Sequence, residues 1–431
     1  MSMAALPARG NAVEECAGPA EGYRFPIVLR GVPELQGADV GRIAAWRFAE
    51  GHWARVPLQV DEVNGNGDYV LDQGMPFTAN TGDGVFSTRD ELSVDGSSLG
   101  ADFQMPDVPP ALTRDIVSSW RVRLCRGGRL LGAILIARTV RALPEVSAVP
   151  AVLFDKSLGR VTTSLYRYDF HAQSPVLLGQ VFLRKDATEV PALADSMFRM
   201  PLVLPWWLPN FTLRNEDFKS MIECWRVGPV RAIVAVGVKF RSFLSLLNLH
   251  LFSELVFYRN RFEIPTVIEF IFDPGTYLRR GSGLMYSLRY PPGRAWKVTS
   301  NLVDLPAARP ADVALRASDS GNEPFFASGS SEFGAFRVEV RVDESARRLV
   351  PPPFLIRDSD FDRESPKGKF WPWLRDSSGD LGVFLDISGV RKGIYRFGLE
   401  MLLSDVPTDD FGDRRIDKIS WEPAPASNKG P

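Results

Sequence analysis

The feature that most constrains the fold of this chain is a long series of β-prone runs separated by turn residues, with scarcely a helical period among them. From Ile116 the runs read VSSWRVRLCR, LLGAILIARTV, VPAVLFD, GRVTTSLYRYDF and SPVLLGQVFLRK, with Gly127-Gly128 as the first turn. Runs that recur about every ten to fifteen residues with turn signals between them indicate antiparallel sheets. The sequence therefore predicts an all-β protein, a large antiparallel β-sandwich with few helices.

Other segments fit the same pattern. The stretch IAAWRFAEGHWARVPLQVDE is typical of a hairpin around Glu50-Gly51, and SMIECWRVGPVRAIVAVGVKFRSF of a hairpin around Gly228-Pro229. The piece from Phe243 to Leu255 fits a strand and also an amphipathic helix, and we prefer the strand. Five segments are predicted: a flexible tail (1-21), hairpins with acidic loops (22-112), the main β-sandwich (113-305), a linker or long loop (306-332), and C-terminal strands with a charged tail (333-431).

Composition excludes several classes of protein. With 45% hydrophobic and 24% charged residues the chain is globular and soluble, and a net charge of −1 gives no reason to expect nucleic acid as a partner. No apolar run reaches the length of about 18 residues that a transmembrane helix needs. The first twenty residues lack the apolar core of a secretory signal, so an exported protein would have lost its signal or would begin elsewhere.

The three cysteines, Cys16, Cys125 and Cys224, are too few and too far apart for a disulfide framework or a metal knuckle. A single Cys125–Cys224 bridge is one interpretation. The preferred one is that each cysteine is a small buried residue without a chemical role.

An acidic stretch from Arg55 to Asp95 contains eight Asp and Glu residues against two Arg. Short oxygen side chains alternate there and are followed by glycine, as in loops that wrap a calcium ion. The candidate ligands are Asp61, Glu62, Asn64, Asn66, Asp68, Asp83 and Asp90. Neither loop is a complete EF-hand, because Gln73 occupies the final ligand position of the first. The alternative is that Asn-Gly and Asp-Gly are ordinary turns, and Asp358 to Asp362 is a weaker second candidate for an ion.

Catalytic signals are weak. The three histidines, His52, His171 and His250, are not spaced as metal ligands. Tyr168 and His171 lie in one short run with Asp169, which could serve acid–base chemistry on a sugar ring. The preferred interpretation is an edge strand whose neighbouring side chains point to opposite faces.

Two adjacent tryptophans give the clearest indication of a ligand. Trp206 and Trp207 stand between Pro205 and Pro209, and two successive side chains of a strand cannot both face the core. We therefore expect at least one indole at the surface, where it could stack on a sugar ring, with Arg214 close enough to donate hydrogen bonds.

The run Val56-Pro-Leu-Gln59-Val-Asp61-Glu62, continued by Asn64-Gly-Asn66-Gly67 and Asp90-Glu91-Leu92, resembles a family of uncharacterised β-sandwich proteins found beside unsaturated glucuronyl hydrolases. Here an insertion of about twenty residues splits the motif, and Asn replaces Asp at two positions. The Gly228-Pro-Val-Arg231 turn is similar to one in mutarotase-like super-β-sandwiches. The resemblance implies export, a super-β-sandwich fold and a role near polysaccharide, and it supplies no catalytic residues.

Two functions follow as expectations. The first is a periplasmic or secreted protein that binds or modifies an oligosaccharide or polysaccharide and has a calcium-stabilised acidic loop. The alternative is a non-catalytic protein of the cell envelope that docks a partner or a lipid through its apolar 240-290 region. The sequence does not decide whether the protein is an enzyme.

Overall fold

The computed structural model divides the chain into two compact units. Unit 1 comprises Met1–Glu62, Asp83–Ser147 and Asp413–Pro431, and unit 2 comprises Val63–Gly82 and Ala148–Gly412. The structure describes residues 23–74, 82–104, 108–109, 114–144, 146, 150–172, 174–175, 178–185, 188–193, 195–214, 217–240, 251–270, 273–289, 297–300, 303–304, 325–342, 347, 349, 354–357, 381–406, 411, 416 and 418–423.

Unit 1 is built from two antiparallel sheets, and all strands are numbered here in chain order. The strands of unit 1 are β1 (Ile27–Arg30), β2 (Ile43–Ala49), β3 (His52–Val56), β4 (Leu58–Asp61), β6 (Glu91–Val94), β7 (Ile116–Arg126), β8 (Arg129–Thr139) and β28 (Lys418–Pro423). The order is β1-β6-β4 in the three-stranded sheet and β28-β7-β8-β2-β3 in the five-stranded sheet. Short 3-10 turns lie at Pro33–Leu35, Val40–Arg42 and Gly96–Ser98.

The hairpin β2–β3 forms where the sequence predicts it. Glu50 and Gly51 between its strands have φ angles of 52° and 76°. Two successive left-handed residues make the turn whose twist matches that of the flanking strands. The hydrophobic core of this unit includes Leu29, Leu92, Val94, Leu124 and Ile134, all buried.

Unit 2 contains three sheets. Its strands are β5 (Gln73–Gly74), β9 (Val152–Asp155), β10 (Arg160–Thr163), β11 (Tyr166–Asp169), β12 (Gln180–Lys185), β13 (Thr188–Leu193), β14 (Asp195–Leu202), β15 (Phe211–Arg214), β16 (Phe218–Val227), β17 (Arg231–Phe240), β18 (Leu251–Tyr258), β19 (Arg261–Phe270), β20 (Gly283–Arg289), β21 (Lys297–Ser300), β22 (Val303–Asp304), β23 (Phe325–Ser331), β24 (Gly334–Val342), β25 (Phe354–Arg357), β26 (Leu381–Asp386) and β27 (Gly393–Ser404). A 3-10 turn lies at Pro274–Thr276.

The three sheets of unit 2 have the orders β13-β12-β11-β10-β9, β15-β14-β20-β26-β25-β22 and β21-β23-β24-β27-β19-β18-β17-β16-β5. Among the described residues, the strands of these sheets pair antiparallel except β22 with β25, which are parallel. One face of the nine-stranded sheet packs into the main core of the unit, through residues such as Val234, Phe257, Phe262 and Met401. Alternation along the strands then turns every second side chain to the opposite face.

The predicted all-β class is confirmed, with sheets throughout the described part of 116-302. Residues 251–255 belong to strand β18, whereas 243–250 lie outside the described residues. Contacts group the chain into two discontinuous units, which differ from the five consecutive segments that the sequence suggests. Among the described residues no helix is long and apolar enough to cross a membrane.

The alternative of a Cys125–Cys224 bridge is wrong, because Cys224 is not part of a disulfide. Both cysteines are buried, as the preferred interpretation expects, but Cys125 is disulfide-bonded and so does not fit that interpretation in full. Cys16 lies outside the described residues.

Candidate functional site

A row of three glutamates crosses the middle of the nine-stranded sheet. Glu400 in β27 is paired on one side with Glu263 in β19 and on the other with Glu339 in β24. Paired residues of antiparallel strands project from the same face, and neighbouring strands lie about 4.8 Å apart. This face is opposite the apolar core. Three like charges in direct register destabilise a sheet unless cations lie among them.

Arginines supply those cations. The Nη1 of Arg261 donates to Glu400 Oε1 at 3.0 Å, and Nη2 of Arg341 donates to the other carboxylate oxygen of Glu400. Arg261 also lies 3.3 Å from Glu263, and Arg337 Nε lies 2.9 Å from Glu339. The surface formed by Arg261, Glu263, Arg337, Glu339, Arg341, Arg396 and Glu400 is called the charged face below.

Burial and charge act in opposite directions on Arg261. Burial lowers the pKa of its guanidinium, but the carboxylates of Glu263 and Glu400 outweigh that effect, and the pKa lies above its ordinary value. Arg261 therefore stays protonated, and its ion pairs are present at any pH at which both carboxylates are ionised.

A second group of polar side chains lies one and two strands further along the same sheet, in β18 and β17. Arg231 is completely buried in β17, and its Nη1 donates to the hydroxyl of Tyr258 at 2.8 Å. Burial raises the pKa of Tyr258, and the charge of Arg231 opposes that rise. The ring of Tyr69 lies 5.2 Å from the Arg231 guanidinium, within the range of a cation–π contact.

Tyr69 belongs to a segment that crosses this sheet. The segment comprises residues 63–74 and is called the strap below. Its Tyr69 amide donates to Glu254 Oε1 in β18 at 2.9 Å, and β5 at its end pairs with β16 through Gly74 and Cys224. Gly74 has a φ of +89°, and a Cβ there would lie 2.3 Å from the Glu223 carbonyl oxygen, so only glycine fits this approach.

The first predicted calcium loop is the turn of the strap. Asn64 Oδ1 accepts hydrogen bonds from the backbone N–H groups of Asn66 at 2.8 Å and Asp68 at 3.0 Å. The backbone N–H of Asn64 in turn donates to the backbone carbonyl oxygen of Asp68 at 2.9 Å. An Asn side chain that bonds the backbone two residues further on forms an Asx turn. These contacts match the alternative in which Asn-Gly is an ordinary turn.

The other predicted ligands lie in unit 1 and also contact neighbouring donors. Asp61 is buried and accepts from Gln59 Nε2 at 2.9 and 3.0 Å. The remaining three carboxylates accept hydrogen bonds from backbone N–H groups. Glu62 accepts from Gly84, Asp83 accepts from Val85, and Asp90 accepts from Ser87.

The described part of the chain contains no cluster of three or more His, Cys, Asp or Glu that could hold a metal. The second candidate, Asp358 to Asp362, lies outside the described residues. A calcium ion stays a prediction.

Tyr168 is not at a surface. It is completely buried in β11, its hydroxyl accepts from the Gly179 amide at 2.9 Å, and burial raises its pKa. Strand β11 lies between β10 and β12, so the predicted edge strand is wrong. Burial removes Tyr168 from the predicted ligand-binding set.

His171 follows strand β11 and is half-buried. Its Nδ1 accepts from the Ser174 amide at 3.2 Å, which places the proton of a neutral ring on Nε2. The described contacts of His171 include no carboxylate, and a role in ligand binding stays a prediction.

Trp206 and Trp207 lie in the turn between β14 and β15. Their exposed fractions are 96% and 63%, the former the largest among the described large hydrophobic residues. The predicted exposure is confirmed. The turn is held by hydrogen bonds from the Leu208 amide to Pro205 O and from the Leu204 amide to Asn210 Oδ1, both at 2.8 Å. Both indoles are therefore presented by a closed turn.

The predicted arginine partner lies at the far end of the same hairpin. Arg214 is the last residue of β15, where its backbone is paired with Arg199 of β14. The two tryptophans are at the turn that joins these strands. The structure thus places Arg214 and the tryptophans on one element, and contact of Arg214 with a ligand stays a prediction.

The charged face was missed by sequence reasoning. Its signal is the period-two pattern of Arg and Glu within apolar strands, as in Arg261-Phe-Glu263 and Arg337-Val-Glu339-Val-Arg341. Such a pattern is also typical of a solvated strand face. The register that brings Glu400 between the two other glutamates depends on pairing between distant strands, which no local pattern contains.

Fold and geometry define an all-β protein with a charged sheet face and a displayed pair of tryptophans. No family model and no curated protein matches the chain.

Solved structures that are similar include an alpha-mannosidase from Enterococcus faecalis, at a TM-score of 0.38 and 9% identity over 90% of this chain and 47% of that chain. A glycosyl hydrolase family 38 protein from the same organism has a TM-score of 0.39 and 9% identity over 90% of this chain and 48% of that chain. A candidate aldose 1-epimerase from Escherichia coli has a TM-score of 0.28 and 9% identity over 56% of this chain and 96% of that chain. The chain thus spans about half the length of the first two, and at these scores the likeness carries no argument about function.

Proposed function

We propose that this protein binds carbohydrate through Trp206 and Trp207. The observation that carries the proposal is the exposure of both indoles on a closed turn. Leaving two large aromatic rings in water forgoes the burial that normally stabilises them. A ring that is displayed by a fixed turn loses little conformational entropy on binding, so stacking on the C–H face of a sugar is favoured.

The anchoring of the turn supports a preformed site. The Val203 amide donates to Ser282 Oγ at 2.9 Å, and the Arg279 amide donates to Val203 O at 2.7 Å, which ties the start of the turn to the segment before β20. Leu204 packs against the main core of the unit. The indoles are therefore the outward end of a rigid element, which is how aromatic anchors are presented in recognition surfaces.

Export is part of the proposal. The disulfide at Cys125 supports it, because disulfides form and persist in oxidising compartments such as the periplasm or the extracellular space.

The alternative function has less support. It rests on the apolar 240-290 region, in which Leu255, Val256, Phe257 and Phe262 are buried in the sheet. The described apolar side chains of that region are therefore buried or half-buried, and residues 241–250 lie outside the described part of the chain.

The test is to make Trp206→Ala and Trp207→Ala separately and to measure binding on a glycan array and then by calorimetry. Truncating an exposed side chain should change the free energy of unfolding by less than about 0.5 kcal/mol. Loss of an aromatic anchor should weaken binding about tenfold or more. Met221, which is also exposed, provides the control variant Met221→Ala. Unchanged binding by both tryptophan variants, or no binding of any glycan by the parent, would contradict the proposal.

A further inference from the structure

Three chain connections lie side by side at one end of unit 2. Strand β20 lies between β14 and β26, and both pairs are antiparallel. The end of β14, the start of β20 and the end of β26 therefore share one end of the sheet, where neighbouring strands are about 4.8 Å apart. The connections that meet there are residues 203–210, called the tryptophan turn below, residues 273–282 before β20 and residues 387–392 after β26.

Backbone hydrogen bonds join these three connections directly. The Arg279 amide donates to the Val203 carbonyl oxygen of the tryptophan turn at 2.7 Å, and the Ile387 amide donates to the Ser282 carbonyl oxygen at 2.9 Å. The backbone of Arg279 therefore has a fixed position beside the tryptophan turn. Arg214, by contrast, is at the other end of the hairpin β14–β15.

This end of unit 2 has an excess of positive charge. Among its described residues the carboxylates are those of Asp273 and Asp386, and each accepts hydrogen bonds from backbone N–H groups. The described cations of the three connections are all exposed, and they are Arg279, Arg280, Arg391 and Lys392. Four cations beside two carboxylates produce a positive potential, which attracts an anionic ligand.

Arg279 is the cation whose backbone is bonded to the tryptophan turn. Its side chain is exposed, and no carboxylate of the described residues pairs with its guanidinium. Three methylene groups carry the guanidinium, which gives it the length to reach a ligand that is stacked on Trp206. Its N–H donors form a planar fork, which matches the two oxygens of a carboxylate.

Asn210 provides a second donor, within the tryptophan turn itself. Its Oδ1 accepts from the Leu204 amide at 2.8 Å. A backbone N–H can only donate, so the side-chain oxygen must face Leu204 and the Nδ2 group must point away from it. Asn210 is exposed, and no described residue accepts from its Nδ2. Two N–H donors are therefore held in one orientation beside the indoles.

We infer that Arg279 and Asn210 select an acidic carbohydrate at the tryptophan turn, a chain whose sugar rings carry carboxylate groups. This inference rests on the proposed function and names its substrate class. Both residues offer N–H donors, and a carboxylate is the sugar substituent that accepts hydrogen bonds and donates none. A bond from a guanidinium to a carboxylate is also charge-assisted, so the two residues distinguish acidic chains from neutral ones.

The experiment measures binding of alginate and polygalacturonate oligosaccharides, each beside a carboxyl-reduced form of the same chain. The test variants are Arg279→Gln and Asn210→Asp. Aspartate keeps an oxygen to accept the Leu204 amide and replaces the Nδ2 donor by a negative oxygen, so the turn stays closed. Melting temperatures show that each variant is folded.

Two control variants make the same changes of charge elsewhere. Arg129→Gln removes an exposed cation from the turn between β7 and β8, and Gln36→Glu adds a carboxylate at an exposed position of unit 1. These controls separate recognition at the tryptophan turn from a general effect of net charge.

We expect the parent to bind at least one acidic chain about tenfold or more tightly than its carboxyl-reduced form, as a charge-assisted pair provides. Both test variants should lose that preference, and Arg279→Gln should bind the reduced chain as the parent does. Both controls should keep the preference. Equal binding of acidic and reduced chains by the parent, a preference that survives in either test variant, or an equal loss in the controls would overturn the inference.

Failure of this inference differs from failure of the proposed function. If Trp206→Ala and Trp207→Ala weaken binding of acidic and reduced chains alike, and the parent binds both equally, only the assignment of Arg279 and Asn210 is wrong. If the tryptophan variants bind like the parent, the proposed stacking surface is wrong, whatever the other variants do.

Discussion

At the scale of single residues, the buried carboxylate of Glu400 is the most consequential group of the charged face. It accepts from Arg261 and Arg341 and has a glutamate on each side. A buried ion pair is weak evidence for net stability, but removing one partner leaves the other charge uncompensated. Substitution of Glu400 therefore reports on the whole network of pairs.

We expect Glu400→Gln to lower the free energy of unfolding by about 3 to 5 kcal/mol, because the largely buried side chain of Arg261 loses a carboxylate partner. Denaturation in urea measures the change. Arg42→Gln removes an exposed pair with Asp39 and should cost about 0 to 1 kcal/mol. Similar losses in the two variants would show that burial does not set the strength of the Glu400 pairs.

The exposure or burial of a residue could be predicted from the sequence in some cases and not in others. The exposure of Trp206 and Trp207 was predictable, since alternation in a strand and the flanking prolines leave no way to bury both. The burial of Tyr168 was not, because a Tyr-Arg-Tyr-Asp run fits an interior strand and an edge strand equally well. Only the pairing of β11 on both sides decides that question, and it involves strands whose order is a tertiary property.

At the scale of elements, the acidic loops show that the composition of a loop predicts the turn it forms better than the ligand it binds. Asn64, Asp83 and Asp90 all cap backbone N–H groups nearby. The short oxygen side chains that favour such turns are also those that ligate calcium, so one pattern serves both interpretations. The strands around these loops were predictable, whereas the path of the strap over β16, β17 and β18 was not, because it depends on long-range contacts.

We expect calcium to raise the melting temperature by about a few degrees or more, because an ion that binds only the native state stabilises it by mass action. Thermal melts in excess chelator, with and without restored calcium, measure the effect, and magnesium is the control ion. Asp83→Asn keeps an oxygen to accept the Val85 amide and removes a charge, so it should weaken the calcium effect. Identical melts in chelator and calcium would leave only the turn interpretation.

At the scale of the whole molecule, the C-terminal strand belongs with the N-terminal part of the chain. Strand β28 pairs with β7, and Glu422 in β28 accepts from Arg121 Nε at 3.0 Å. Trp421 packs against the core of unit 1. The sequence predicts a charged tail here, and strand β28 was missed, because its pairing with β7 closes a very long loop and leaves no local signal.

The discontinuity of unit 1 can be tested by truncation. Truncation after Gly412 removes β28, which should uncover the edge of β7 and part of the core that Trp421 covers. Among the described residues, the main core of unit 2 contains none beyond Leu403, so we expect that core to keep its stability. Hydrogen exchange at the backbone amides of β7 and β19 measures the two units separately, since exchange reports local opening free energies.

We expect protection in β7 to fall by orders of magnitude in the truncated chain while protection in β19 changes little. Glu422→Gln is the milder companion variant: it keeps β28 and removes the charge that pairs with the buried Arg121, so its effect on β7 should be smaller and in the same direction. Equal loss of protection in β7 and β19 would mean that the two units unfold together. Unchanged protection in β7 would mean that β28 contributes nothing to unit 1, against the packing of Trp421 and the ion pairs of Glu422.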